Sequence, residues 1–232
     1  MSPFLRAAAV HAFTASGVVC GLLALLAAFE KRFEVAFLWL GLAMVIDGID
    51  GTFARLADVK RHAPHVSGET LDLCVDYVTY VLVPVVMLMS GGYLVGAGGL
   101  VLAALILMSS LYHFSDTGSK SDDHCFVGFP AIWNIVAFYV FALGLPGWGV
   151  AVLVVVLSTL TFVRIKFVHP MRVETLKLVT LTACVVWGMA AMAATLNGLP
   201  ASWPLAAVLV AVAGYGIGLS AKFGMDGRSK NH

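Results

Sequence analysis

Four aspartates carry the chemistry that this chain can do. Asp47 and Asp50 are spaced i, i+3, Asp72 and Asp76 are spaced i, i+4, and each pair lies at the end of an apolar run. On a helix, both spacings put the two side chains on one face. A carboxylate placed inside a bilayer costs about 3 kcal/mol or more, so such groups face a wet cavity or a partner. Four of them held together repel one another unless something neutralises them. Protons would make the cluster a relay. Hard divalent cations such as Mg²⁺ would make it a metal centre, because they take oxygen ligands and pair with substrate phosphates. Two such ions can hold the attacking and leaving oxygens of an in-line displacement.

The residues between the aspartates favour metal. Gly48, Gly51 and Ala54 are interleaved with the first pair, and Gly68 stands one turn before Asp72. Small residues let a ligand approach the backbone. Arg55 follows Asp50 on the same helix. Its guanidinium suits the charge on a leaving phosphate. A buried ion-pair network is the plainer alternative, but one arginine cannot balance four aspartates. A proton-coupled carrier is the other, and the chain shows no inverted repeat to support it.

These side chains need helices to hold them, and the composition says where those helices are. Of the 232 residues, 60% are hydrophobic and only 12% charged. Soluble domains carry about 25% charged residues. The mean hydropathy is +0.95. A net charge of +1 gives no global field for nucleic acid. With about 20 apolar residues per crossing, the sequence reads as an all-α integral membrane protein of eight spans, near 11–29, 34–57, 68–89, 93–114, 129–145, 147–166, 175–197 and 203–222. Residues 2–8 read as a short interfacial helix. The first run has no clear cleavage site, so it reads as a retained span. The short turn Leu145-Pro146-Gly147 predicts an antiparallel pair of spans five and six. Residues 1–222 read as one catalytic domain and 223–232 as a flexible tail.

Eight spans put both termini on one side. That side holds 12 of the 14 Lys and Arg, leaving Lys31 and Arg32 on the other. The positive-inside bias places the termini, and the loop between the two acidic helices, in the cytoplasm. Cys20, Cys74, Cys125 and Cys184 form no CxxC pair and read as small buried hydrophobes.

Asp47-x2-Asp50-Gly51-x2-Ala54-Arg55, followed by Gly68-x3-Asp72-x3-Asp76, resembles the signature of the CDP-alcohol phosphotransferases. All of its positions are present. One departure is the stretch from Arg55 to Gly68, which is longer than is usual in that family and lies in the cytoplasmic loop. The resemblance implies that Asp47, Asp50, Asp72 and Asp76 ligate two Mg²⁺ or Mn²⁺ ions. It implies that Gly51, Ala54, Arg55 and Gly68 contact the CDP moiety, and that Asp76 is also the general base on the acceptor alcohol. It implies a six-helix core, here with two helices added, and a homodimer.

The signature does not name the acceptor. Three further stretches are similar to the bacterial phosphatidylcholine synthases, a branch of that family: 11–17, 121–134 and 162–170. They imply CDP-diacylglycerol and choline as substrates and the bacterial inner membrane, with the site facing the cytoplasm. Serine, inositol or a phosphorylated polyol are the alternative acceptors for the same chemistry. Choline's quaternary ammonium is held by aromatic faces. Tyr77, Tyr80, Tyr112, Phe126, Phe129, Trp133 and Tyr139 are the candidates near the inner face. Asp116, Asp122 or Asp123 would attract the cation. Asn134, polar within an apolar helix, either packs helices by a hydrogen bond or lines the acceptor pocket. Arg164 and Lys166 read as inner-face anchors, with lipid diphosphate binding as the alternative.

Overall fold

The computed structural model describes residues 2–116, 126–163, 166–167 and 177–229. Helix α1 runs Pro3–Phe29. Its start is written in the sequence: the Ser2 hydroxyl accepts from the Leu5 amide at 3.3 Å, and Pro3 opens the first turn. At 27 residues the helix is about 40 Å long, more than the hydrocarbon core requires. Residues 3–8 are therefore the first turns of the span and not a separate interfacial helix.

Helix α2 (Phe33–Leu56) is followed by one turn of helix, α3 (Val59–His62). The next rod is continuous over Gly68–Ser90 but changes its winding. It begins as α4 (Gly68–Asp76), passes through a π-helical segment (Tyr77–Leu82) and ends as α5 (Val83–Ser90). The remaining helices are α6 (Gly96–Ser115), α7 (Trp133–Leu143), α8 (Gly147–Leu160), α9 (Lys177–Asn197) and α10 (Trp203–Ser229). A two-residue antiparallel ladder pairs β1 (Phe126–Val127) with β2 (Lys166–Phe167).

Among the described residues, eight helical segments, two of them short, stand where the sequence places eight spans. Five of them, within 3–29, 68–90, 96–115, 178–197 and 203–220, have the length and hydropathy to cross a membrane. The chain is an all-α multi-pass membrane protein. Helices α7 and α8 are shorter than the expected 129–145 and 147–166. Gly128 at φ 84° and Ala131 at φ 55° keep the approach to Trp133 out of helical geometry. Beyond Leu160 the chain turns away. Helix α8 packs on α6. Gly144, at φ 59°, ends α7 in the left-handed conformation that glycine adopts most readily. Helix α10 passes through Phe223, where the tail is expected, and stays helical to Ser229.

Contacts divide the chain into two units, residues 1–92 with 133–137, and residues 93–132 with 138–232. In the first unit α1 is the hub and packs on α2, α4, the π segment and α5. Its buried stripe consists of small side chains, Ala7, Thr14, Gly17, Cys20, Gly21, Ala24, Ala27 and Ala28. Without a solvent-driven force between spans, small residues gain contact by letting backbones close in. A Cβ on Gly17 would stand 2.7 Å from Val75 Cγ1. Gly17→Val should therefore destabilise the protein by about 1–3 kcal/mol through overpacking. Thermal unfolding in detergent checks this, and an unchanged midpoint would contradict the close α1–α4 approach. Cys20 is buried beside Ala43 and Ile46 as expected. Cys74, by contrast, is exposed, because α4 turns Val75 inward at that level.

In the second unit α9 and α10 pack together, and α6 packs on α8. Tyr139 of α7 ties three helices. Its hydroxyl donates to the Leu209 carbonyl at 2.8 Å and accepts from Trp187 Nε1 at 3.0 Å. Thr180 and Tyr215 hydroxyls meet at 2.9 Å between α9 and α10.

Candidate metal and nucleotide site

The last turns of α2 lie beside the first turns of the α4 rod. The acidic faces meet there. One carboxylate oxygen each from Asp47, Asp50 and Asp72 lies within 4.8 Å of the other two. Asp50 is buried, with 7% of its surface exposed, and Asp47 and Asp72 are half-buried. Three hard oxygen donors at this separation could hold a metal ion. Asp76 stands one turn further along the rod, about 6 Å along the axis from Asp72. Its Oδ1 is withdrawn from solvent.

Two hydroxyls from other elements hold the α2 carboxylates. Thr14 of α1 donates to Asp50 Oδ2 at 2.8 Å. Tyr80 of the π segment donates to Asp47 Oδ2 at 2.7 Å. Tyr80 also lies within electrostatic reach of Asp72 and Asp76. The sequence marks Tyr80 only as an aromatic face for the acceptor and does not mark Thr14 as a site residue. Thr14 lies between His11 and Ser16 in an otherwise apolar span, and that polarity is the signal that points to it.

The signature's small residues lie on the same two helices as the trio. Arg55 folds back along α2, with Nη1 3.6 Å from where a Gly51 Cβ would be and Nη2 donating to Thr52 Oγ1 at 3.0 Å. Its side chain is exposed. Ala54 packs on the cluster of Ala7, Val59 and Ala63, so its methyl lets α1 and the α3 turn close over α2. Gly68 opens α4 directly after its cap, Ser67, whose hydroxyl accepts from Thr70 N at 3.2 Å. A Cβ at Gly68 would meet His11 Cε1 at 3.3 Å. The His11 Nε2 is buried and has no hydrogen-bond partner among the described residues.

The acceptor candidates are placed differently. Trp133 is fully buried and Phe129 nearly so. Asn134, also buried, spends its Oδ1 on the backbone N–H of Ile135 at 2.9 Å, a local bond at the start of α7. The hydroxyls of Tyr80 and Tyr139 are already engaged. Tyr112 is exposed and lies against Phe162, ring centres 5.0 Å apart. Asp122, Asp123 and Arg164 lie outside the described residues, and so does Cys125.

No protein-family model matches the chain. Curated proteins do. A phosphatidylcholine synthase of Pseudomonas aeruginosa is 44% identical over 189 residues, covering 81% of this chain and 79% of that one. One from Mesorhizobium japonicum is 44% identical over 80% of this chain and 69% of its own. The chain belongs to the phosphatidylcholine synthase family. A phosphatidylcholine synthase from Borreliella burgdorferi matches at 30% identity over 76% of both chains. In a chain of 232 residues, a match of 189 necessarily runs through the acidic hairpin. Phosphatidylcholine synthases are transferases of phospholipid biosynthesis, and membership makes this chain an enzyme of the CDP-alcohol phosphotransferase type.

Proposed function

We propose that the protein transfers the phosphatidyl group of CDP-diacylglycerol to choline, giving phosphatidylcholine and CMP. The convergence of Asp47, Asp50 and Asp72 carboxylates on one point, amid Gly51, Ala54, Arg55 and Gly68, is the observation that carries the reading. The names of the relatives supply the product.

The trio would hold Mg²⁺ or Mn²⁺, with Asp76 completing a two-ion set, and the metal would neutralise charge on the diphosphate. The chain's own groups do the rest. Arg55, five residues beyond Asp50 on α2, takes up charge on the leaving CMP. The backbone at Gly51 and Gly68 leaves room for the nucleotide. Asp76 accepts the proton of the choline hydroxyl as its oxygen attacks the phosphorus that bears diacylglycerol. The new O–P bond forms as the bond from that phosphorus to the bridging oxygen breaks, and CMP departs with the bridging oxygen. Anchoring the donor and the acceptor on one hairpin removes most of the entropic cost of their encounter.

The bias of Lys and Arg supports termini and site on the cytoplasmic face, and the bacterial relatives support the inner membrane. The family resemblance supports a homodimer. Purified protein in vesicles containing CDP-diacylglycerol should move radiolabelled choline into extractable lipid and release CMP in equal amount. No incorporation of choline, in the presence of either metal, would overturn the reading.

A further inference from the structure

We infer that Thr14 and Tyr80 are positioning residues that set the affinity of the aspartate trio for divalent metal. The inference rests on the reading of that trio as a metal site. Asp47 and Asp50 are one turn apart on α2, and their carboxylates stand within 4.8 Å of each other and of Asp72. Left alone, like charges that close would rotate apart. Each α2 carboxylate is instead pinned by a donor from a different element, Thr14 of α1 at 2.8 Å and Tyr80 of the π segment at 2.7 Å. Both bonds are taken by Oδ2. The carboxylate plane, and with it the direction of the second oxygen, is then set by the protein and not by solvent. Groups of this kind, one shell outside the ligands, orient the ligands and tune the metal.

The winding of the rod makes the second bond possible. In an α-helix each residue advances about 100°, so position 80 would lie about 80° around the axis from position 72. A π turn closes i to i+5 and advances less per residue, and the segment 77–82 is wound this way. Tyr80 therefore stays closer to the face of Asp72 and Asp76 and reaches across to α2. Thr14 reaches Asp50 from the small-residue stripe of α1, where the residue is 7% exposed. Buried hydroxyls in this setting are hydrogen-bonded donors.

The test is direct binding of Mn²⁺ alone to the purified full chain in detergent, followed by the electron paramagnetic resonance of free Mn²⁺. Wild type, Tyr80→Phe, Thr14→Val, Thr14→Ser and Asp72→Asn are compared, with the thermal midpoint of each metal-free protein measured alongside. The inference expects Tyr80→Phe and Thr14→Val each to weaken Mn²⁺ binding by roughly 10- to 100-fold. It expects their metal-free midpoints to match wild type and Thr14→Ser to bind as wild type does. Wild-type affinity in Tyr80→Phe or Thr14→Val, while Asp72→Asn is impaired, would overturn the positioning role and leave the metal site standing. A lowered midpoint in proportion to the lost affinity would overturn it too, because the hydroxyls would then serve folding. No Mn²⁺ bound by wild type, or full binding by Asp72→Asn, would overturn the metal reading itself and this inference with it.

Discussion

Replacing Asp76 by Asn is expected to lower turnover by about 10²–10⁴-fold, the usual contribution of a positioned general base. The substitution keeps the size of the side chain and removes its capacity to take a proton. Asp47, Asp50 and Asp72 converge without it, since Asp76 stands one turn further along the rod. CMP binding by the variant should therefore stay within about tenfold of wild type, because the loss falls on a step after binding. Steady-state rates and equilibrium binding of labelled CMP, measured on the same preparation, separate the two effects. A near-normal rate in Asp76→Asn would remove Asp76 from the role of base. A loss of CMP binding equal to the loss of rate would make Asp76 chiefly a ligand.

Excess EDTA is expected to stop the reaction, and Mg²⁺ or Mn²⁺ added beyond the chelator to restore it. The expected loss is at least ~10²-fold, since a metal contributes several kcal/mol of charge stabilisation in such sites and each 1.4 kcal/mol is a factor of ten. The protein offers little to replace it. Arg55, the signature's cation, is exposed and bonded to Thr52, and one guanidinium does not balance the trio. Full activity in EDTA would show that the aspartates act through protons.

The acidic hairpin was legible because helical periodicity alone fixes which residues share a face. Asp47 with Asp50, and Asp72 with Asp76, follow from spacing, and the connection between α2 and the α4 rod lets the two faces meet. The length of the apolar runs predicts eight spans, because apolar length is a direct physical requirement of the bilayer. What failed was detail that depends on backbone irregularity. Hydropathy does not register that Gly128 and Ala131 hold positive φ, so α7 was expected to begin four residues too early. A capping serine and Pro3 at the start of α1 were present in the sequence, yet residues 2–8 read as a separate helix.

Within the site, sequence could not supply phase between helices. Thr14 meets Asp50 only because Gly17 and Gly21 bring α1 close to the α4 rod and Ala43 and Ile46 seat it on α2. Tyr80 read as a face for a quaternary ammonium, but its hydroxyl is committed to Asp47 through a π turn that no spacing rule anticipates. Asn134 had two readings, and the bond to Ile135 is a third, local one.

The choice of acceptor is where the account is most exposed. The decisive measurement incubates the purified protein with labelled CDP-diacylglycerol and, in parallel, choline, serine, inositol and glycerol phosphate, each with Mg²⁺ or Mn²⁺. A new labelled lipid, and stoichiometric CMP, are expected with choline only. Lipid formed from serine, inositol or glycerol phosphate, with none from choline, would contradict choline as the acceptor.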